Sequence, residues 1–154
     1  MSIKLNERNS LMIGQMGELL TAFQLVKMGY PTEIVRLEKI DLLTLVKGRK
    51  PVRIQVKASR FKRAYVDTRA RGGNRPYSTY HFSVCSGGHP KQPLTKEQCD
   101  VVALVAIDLE RIIFLRTKEL EGRITKRMGP TRFYDGCTET TWGNCLRYKP
   151  QLTV

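Results

Sequence analysis

The chain has no apolar run near the ~18 residues that a membrane-spanning helix needs; its longest clean one covers only residues 101–107. A membrane-spanning helix is therefore excluded. The first residues, MSIKLNERNS, hold no apolar stretch running to a small-residue cleavage site. No secretory leader is expected, and the cytoplasm is the expected compartment. Cysteine is sparse: Cys85, Cys99, Cys137 and Cys145 include no CxxC pair, and Cys85 with His89 is a lone C-x3-H. That spacing fits no common zinc module, and reduced thiols are the simplest state. Histidine occurs twice, at His81 and His89, and tryptophan once, at Trp142. Internal repeats and low-complexity blocks are absent. Acids are also short, 14 against 27 Lys and Arg, which leaves a net charge of +13 and a pI near 9.9. Such an excess points to a polyanionic partner, most often nucleic acid.

What is present describes a globular chain. Hydrophobic residues at 41% and charged residues at 27% argue against a disordered tail. A length of 154 residues fits a single domain, able to bury roughly 68–70% of its unfolded surface without disulfides or a structural metal.

Residues 10–28 read as a helix, with Asn9 or Ser10 to cap it, Gly29 to end it and Pro31 to prevent its continuation. Its apolar residues fill roughly two-thirds of the helical wheel, so it is expected to be mostly buried. Residues 33–37 read as a short strand. Residues 40–46, IDLLTLV, form a nearly continuous apolar strand, expected to be covered on both faces. Residues 52–58 alternate, with Val52, Ile54, Val56 and Ala58 opposite Arg53, Gln55 and Lys57. With a turn at residues 47–50, these two strands form a hairpin. Residues 59–78 read as a basic loop or strand extension, and 78–84 alternate again. A Gly/Pro-rich loop follows, then a short helical turn at 94–99 and a second apolar hairpin from 101–108 and 111–117. A short helix is expected near 117–121, and Trp142 is a packing anchor. The order of elements predicts an α/β or α+β fold with a central mixed sheet flanked by helices.

Three polar sites stand out against this pattern. Glu18 lies inside the apolar arc of the helix, where a carboxylate is costly to bury without a cation or a metal. Gly14 and Gly17 beside it would let the helix approach a sheet closely. Asp41 is a lone carboxylate at the start of a strongly apolar strand. Gln55 and Lys57 share a strand face, and a turn centred on Gly48 and Arg49 would place Asp41 opposite position 56. One acid, one amide oxygen and one amine then converge at the open end of the hairpin. Asp100, before the strand at 101, reads as a turn-fixing residue.

This arrangement resembles the PD-(D/E)XK nuclease superfamily. The residues that carry the resemblance are Glu18 in GQMGELL, Asp41 in KIDLLTLV, and Gln55 and Lys57 in RIQVKAS. Position 55 departs from the usual Asp or Glu. The Q-X-K form is similar to that of a branch of group I intron-encoded homing endonucleases. The resemblance implies a restriction-endonuclease-like core, with Glu18, Asp41, Gln55 and Lys57 as catalytic residues. Glu18, Asp41, the Gln55 amide oxygen and the Val56 backbone carbonyl would hold Mg²⁺, or Mn²⁺ in its place. Such hard oxygen ligands suit those cations better than zinc.

The segment after Lys57 carries Arg60, Lys62, Arg63, Arg69, Arg71 and Arg75 against a single acid, Asp67, with Phe61, Tyr65 and Tyr77 interleaved. Such residues neutralise phosphates and read base edges. Ser59, Arg60, Lys62, Arg63, Arg69, Arg71, Arg75 and Tyr77 are the candidate DNA contacts, in a basic insertion at 59–78. Arg123, Lys126, Arg127 and Arg132 form a thinner second cluster, and His81 is a further DNA-side candidate. The expected function is site-specific, metal-dependent cleavage of double-stranded DNA by a homodimer or dimer of dimers. A Holliday-junction resolvase or other phage recombination nuclease is the alternative, followed by a non-catalytic nucleic-acid-binding module.

Overall fold

The computed structural model describes residues 10–66 and 76–147. Helix α1 (Ser10–Lys27) is followed by β1 (Thr32–Leu37), β2 (Ile40–Thr44), β3 (Val52–Ser59), β4 (Arg63–Val66) and β5 (Pro76–Ser83). The short strands β6 (Cys85–Ser86) and β7 (Gln92–Pro93) lead to β8 (Val101–Ala106), β9 (Arg111–Arg116), β10 (Thr125–Met128) and helix α2 (Cys137–Arg147). The central sheet runs β1-β2-β3-β8-β9. Only its β3–β8 pair is parallel, so the sheet is mixed, as expected. A second sheet, β10-β5-β4, is antiparallel.

Strand β8 explains its own sequence. All six of its residues are buried. Val101, Ala103 and Val105 pack in a cluster with Leu25 of α1, Ile54, Phe114 and Trp142 of α2. Val102, Leu104 and Ala106 pack on the other face with Tyr80, Phe82, Leu94 and Phe133. A strand covered by helices on one side and a second sheet on the other has no position for a polar side chain. Trp142 anchors the helical side, with its ring edge-on to Phe114 and Tyr30 at centroid distances of 5.0 and 5.6 Å.

Helix α1 ends as its sequence predicts. Gly29 at φ 97° lets its own N–H reach the Val26 carbonyl while the Tyr30 N–H reaches Leu25, which closes the last turn. Its burial corrects the expectation of a mostly enclosed helix. Gly17, Thr21 and Leu25 form the buried line, whereas Leu11, Leu19, Phe23 and Val26 are exposed. Close approach to the sheet occurs at Gly17, where an added Cβ would come within 2.9 Å of Ala58 Cβ, but not at Gly14, which faces open space.

Two further expectations change. Strand β2 is not covered on both faces: it ends at Thr44, and Leu45 beyond it is exposed. The hairpin with β3 pairs Leu42 with Ile54 and Leu43 with Arg53, one residue away from the expected alignment of Asp41 with Val56. The turn centres on Gly48 alone, at φ 79°, rather than between Gly48 and Arg49, and this shifts the ladder by one residue. Residues 94–99 form the expected short turn, closed by the Gln98 and Cys99 N–H groups on the Thr95 carbonyl.

Helix α2 closes the sheet's outer edge. The edge N–H groups of Ile112 and Phe114 on β9 donate to the hydroxyls of Thr138 and Thr141, both at 3.0 Å. The helix therefore satisfies a strand edge that would otherwise be free to pair with another chain.

Candidate active site

The β2–β3 ladder stops at Leu42 and Ile54, although β2 begins two residues earlier at Ile40. Beyond that point Asp41 Oδ2 accepts the Val56 N–H at 2.7 Å. In a strand, the N–H and C=O of one residue point to the same edge. The Val56 carbonyl is therefore directed to the edge that Asp41 occupies. Gln55 and Lys57 flank this residue on the face away from α1. The contact of Gly17 with Val56 and Ala58 seats α1 against β3 and brings the adjacent Glu18 to the same end of the strand.

The two carboxylates sense each other. Burial raises the Glu18 pKa, and the charge of Asp41 raises it further, while Arg36 pulls it down. Burial also raises the Asp41 pKa, opposed by the Val56 amide, Lys57 and Arg36. Gln55 Oε1 is buried with no hydrogen-bond partner. A buried acceptor left open costs free energy, so this oxygen suits a cation ligand. Glu18, Asp41, the Gln55 amide oxygen and the Val56 carbonyl are the groups that could offer oxygen donors to Mg²⁺ or Mn²⁺. Among the described residues, no three His, Cys, Asp or Glu side chains group at metal-binding distance.

Lys57 Nζ donates to the Cys85 carbonyl at 3.3 Å. It lines, with Gln55, Glu38, Lys39 and residues 85–88, an open cleft of about 430 Å³. Arg53, on the same strand face, does not belong to this site. It donates to both Asp100 oxygens and to the carbonyls of Lys96 and Glu97, locking the entry to β8. Asp100 thus fixes the turn, as its position suggested. The four cysteines are free. Burial raises the thiols of Cys99 and Cys137, and that of Cys145 to about 12, so these three are packing residues rather than nucleophiles.

The basic candidates divide. Ser59 is buried and its hydroxyl donates to the Phe61 carbonyl, so it presents no side chain to a partner. The guanidinium of Arg60 lies over the Phe61 ring at 4.5 Å. Lys62, Arg63 and Tyr77 are exposed. Arg69, Arg71 and Arg75 lie outside the described residues. Arg63 pairs with Thr79, and Arg127 with His81, across neighbouring strands of the second sheet. Arg63, His81 and Arg127 therefore share one face, and the His81 pKa is lowered by burial and by both arginines. On the other side of β10, Lys126 is lowered by burial and by Arg123 and Arg132.

Sequence reasoning missed Arg36. It sits five residues before Asp41 in a stretch with no motif, and only the folded bulge reveals its place: its Nε lies 3.5 Å from Glu18 Oε2.

No protein-family model and no curated protein matches the chain. Among solved structures, the fold is similar to that of a bacterial homing endonuclease, I-Ssp6803I. The TM-score is 0.51 at 13% identity, over 79% of this chain and 75% of the other. A likeness at this identity shows the fold alone, a mixed α+β architecture. Among the described residues, no helix is long and apolar enough to cross a membrane.

Proposed function

We propose that the chain is a Mg²⁺-dependent DNA endonuclease of the PD-(D/E)XK type, in its Q-X-K form, acting at specific sites in duplex DNA. The observation that carries this reading is the fork between β2 and β3. There the Asp41 carboxylate accepts the Val56 N–H, close enough to Lys57 and Glu18 for their charges to act on one another, and Gln55, beside Val56, carries an orphaned oxygen. The fold shared with a homing endonuclease and the net charge of +13 support it.

Glu18, Asp41, Gln55 Oε1 and the Val56 carbonyl would hold the divalent cation. When bound, the cation supplies Lewis acidity and charge neutralisation at the scissile phosphate. The protein's own groups do the rest. The Val56 amide fixes the Asp41 carboxylate. Lys57, held by the Cys85 carbonyl, orients the attacking water and stabilises charge developing at phosphorus. Lys62, Arg63 and Tyr77, together with Arg69, Arg71 and Arg75, neutralise and read the DNA.

Cutting both strands takes two such sites, so the acting species is a homodimer or dimer of dimers on a pseudo-palindromic target. The exposed apolar residues Leu11, Met12, Leu19, Phe23 and Val26 fall on one outer stripe of α1, and this stripe is the proposed surface for a second copy.

The test is incubation with a plasmid library carrying randomised inserts and with synthetic four-way junctions, each with and without Mg²⁺. Metal-dependent linearisation of a subset of inserts is expected. Selective junction cleavage would move the assignment to a resolvase, and binding without cleavage of either substrate would leave a non-catalytic module.

A further inference from the structure

Strands β1 and β2 pair Ile34 with Leu42 and Leu37 with Ile40. Between these pairs, Val35 and Arg36 on β1 stand against Asp41 alone on β2. This is a β-bulge, and it lies directly opposite a proposed metal ligand. Its second residue is in the left-handed region, with Arg36 at φ 48°; Lys39, two residues before Asp41, is there too at φ 60°. Neither is glycine. Bulges re-aim side chains and recur beside active sites, and left-handed non-glycine residues persist where surrounding structure holds them. Here the re-aimed side chain is a cation. Arg36 Nε lies 3.5 Å from Glu18 Oε2, while 62% of its side chain remains open to solvent. Its charge also favours the ionised form of Asp41.

We infer that Arg36 is a phosphate-binding residue of the site: it neutralises the Glu18–Asp41 pair before metal loading, and then transfers its guanidinium to a non-bridging oxygen of the DNA phosphate at the cut. The inference rests on the proposed reading of the site as a metal-dependent nuclease. Its chemistry follows from charge. Two carboxylates facing one arginine and one lysine are balanced. A divalent cation bound by the same carboxylates takes over as their counter-ion and repels the guanidinium. An ion pair with one partner so exposed is weak and exchanges readily. A phosphodiester offers two non-bridging oxygens that a guanidinium can meet with paired N–H groups, as an ammonium cannot.

The test compares the full chain with Arg36→Ala, Arg36→Lys and Arg36→Gly. Mn²⁺ is titrated alone by calorimetry, duplex affinity is measured against salt at saturating Ca²⁺, a hard cation that fills the carboxylate site, and cleavage is measured in single turnover at saturating Mg²⁺. Arg36→Ala should bind Mn²⁺ several-fold more tightly, because a competing cation is gone. Its slope of log K against log salt should shrink by about one, and its cleavage should fall at least tenfold. Arg36→Gly relaxes the left-handed backbone and should resist urea better than Arg36→Ala, yet cleave as poorly. Arg36→Lys should keep wild-type metal affinity and recover only part of the cleavage. Wild-type metal affinity and cleavage in Arg36→Ala would overturn the inference while leaving the nuclease reading intact. Loss of metal binding and cleavage together in Arg36→Ala would also overturn it, showing that Arg36 merely holds Glu18 in place. A wild-type chain that takes up no Mn²⁺ and cuts no DNA would remove the nuclease reading, and the inference with it.

Discussion

Gln55 is the residue on which the site's chemistry turns. A carboxylate at position 55 would add a third negative charge beside two acids that burial already holds above their ordinary pKa values. The amide keeps the oxygen and omits the charge. Gln55→Glu should therefore bind Mg²⁺ more tightly, while cleavage at saturating metal stays level or falls, because the added charge repels the substrate phosphate. Gln55→Ala removes the orphaned oxygen and should lose cleavage through poor metal placement. Calorimetric metal titration paired with single-turnover kinetics reads both. An Ala variant with wild-type affinity and rate would show that the buried oxygen serves no ligand. As candidates, Glu18 and Asp41 were legible in the sequence as carboxylates set in apolar patterns, and Gln55 and Lys57 as the polar face of an alternating strand. Arg36 was not, since nothing in its surroundings announces a bulge.

At the scale of elements, the contact between α1 and β3 decides where Glu18 stands. Gly17→Ala would place a methyl group 2.9 Å from Ala58 Cβ and 3.2 Å from Val56 Cγ1. Both neighbours are short and close to backbone. Overpacking of this kind costs roughly 1–3 kcal/mol, against a gain of at most about 1 kcal/mol from helix propensity. Net destabilisation in urea is expected, with a larger loss of cleavage than of stability, since the helix must shift with Glu18 on it. An unchanged midpoint and rate would refute the close seating. The second sheet makes a different prediction. His81 titrates below its ordinary value in the folded chain, so the unfolded chain binds more protons in that window. Stability is then present above the ordinary histidine pKa of 6.5 and is lost as pH falls through the lowered folded value. His81→Gln should flatten that acid loss in urea titrations across pH, and an identical pH profile would contradict it. Helix α1 and the hairpins β2–β3 and β8–β9 could be read from periodicity and turn residues. The hairpin register was one residue off because the turn centres on Gly48 rather than between Gly48 and Arg49. Helix α2 was hidden because its threonines serve the edge of β9 rather than an apolar stripe, and β10 because its four residues, TKRM, are too short and basic to show alternation.

At the scale of the whole molecule, the exposed stripe on α1 and the need for two cuts point to the same assembly. Phe23, 61% exposed on α1, should tolerate Phe23→Glu in folding. Sedimentation should show that variant as a monomer that nicks DNA, while the wild type linearises it; a wild type that is monomeric on its cognate duplex would defeat the dimer. The central claim is narrower: the fork at Asp41 is where a phosphodiester bond is cut. It is tested most directly by measuring duplex affinity and Mg²⁺-dependent cleavage side by side for the wild type and Asp41→Asn. The substitution removes one charged ligand and no positive charge, so binding should stay within about twofold while cleavage falls by a factor on the order of 10² or more, as for the loss of a group essential to the reaction. An Asp41→Asn chain that binds and cleaves like the wild type would show that the chemistry lies elsewhere.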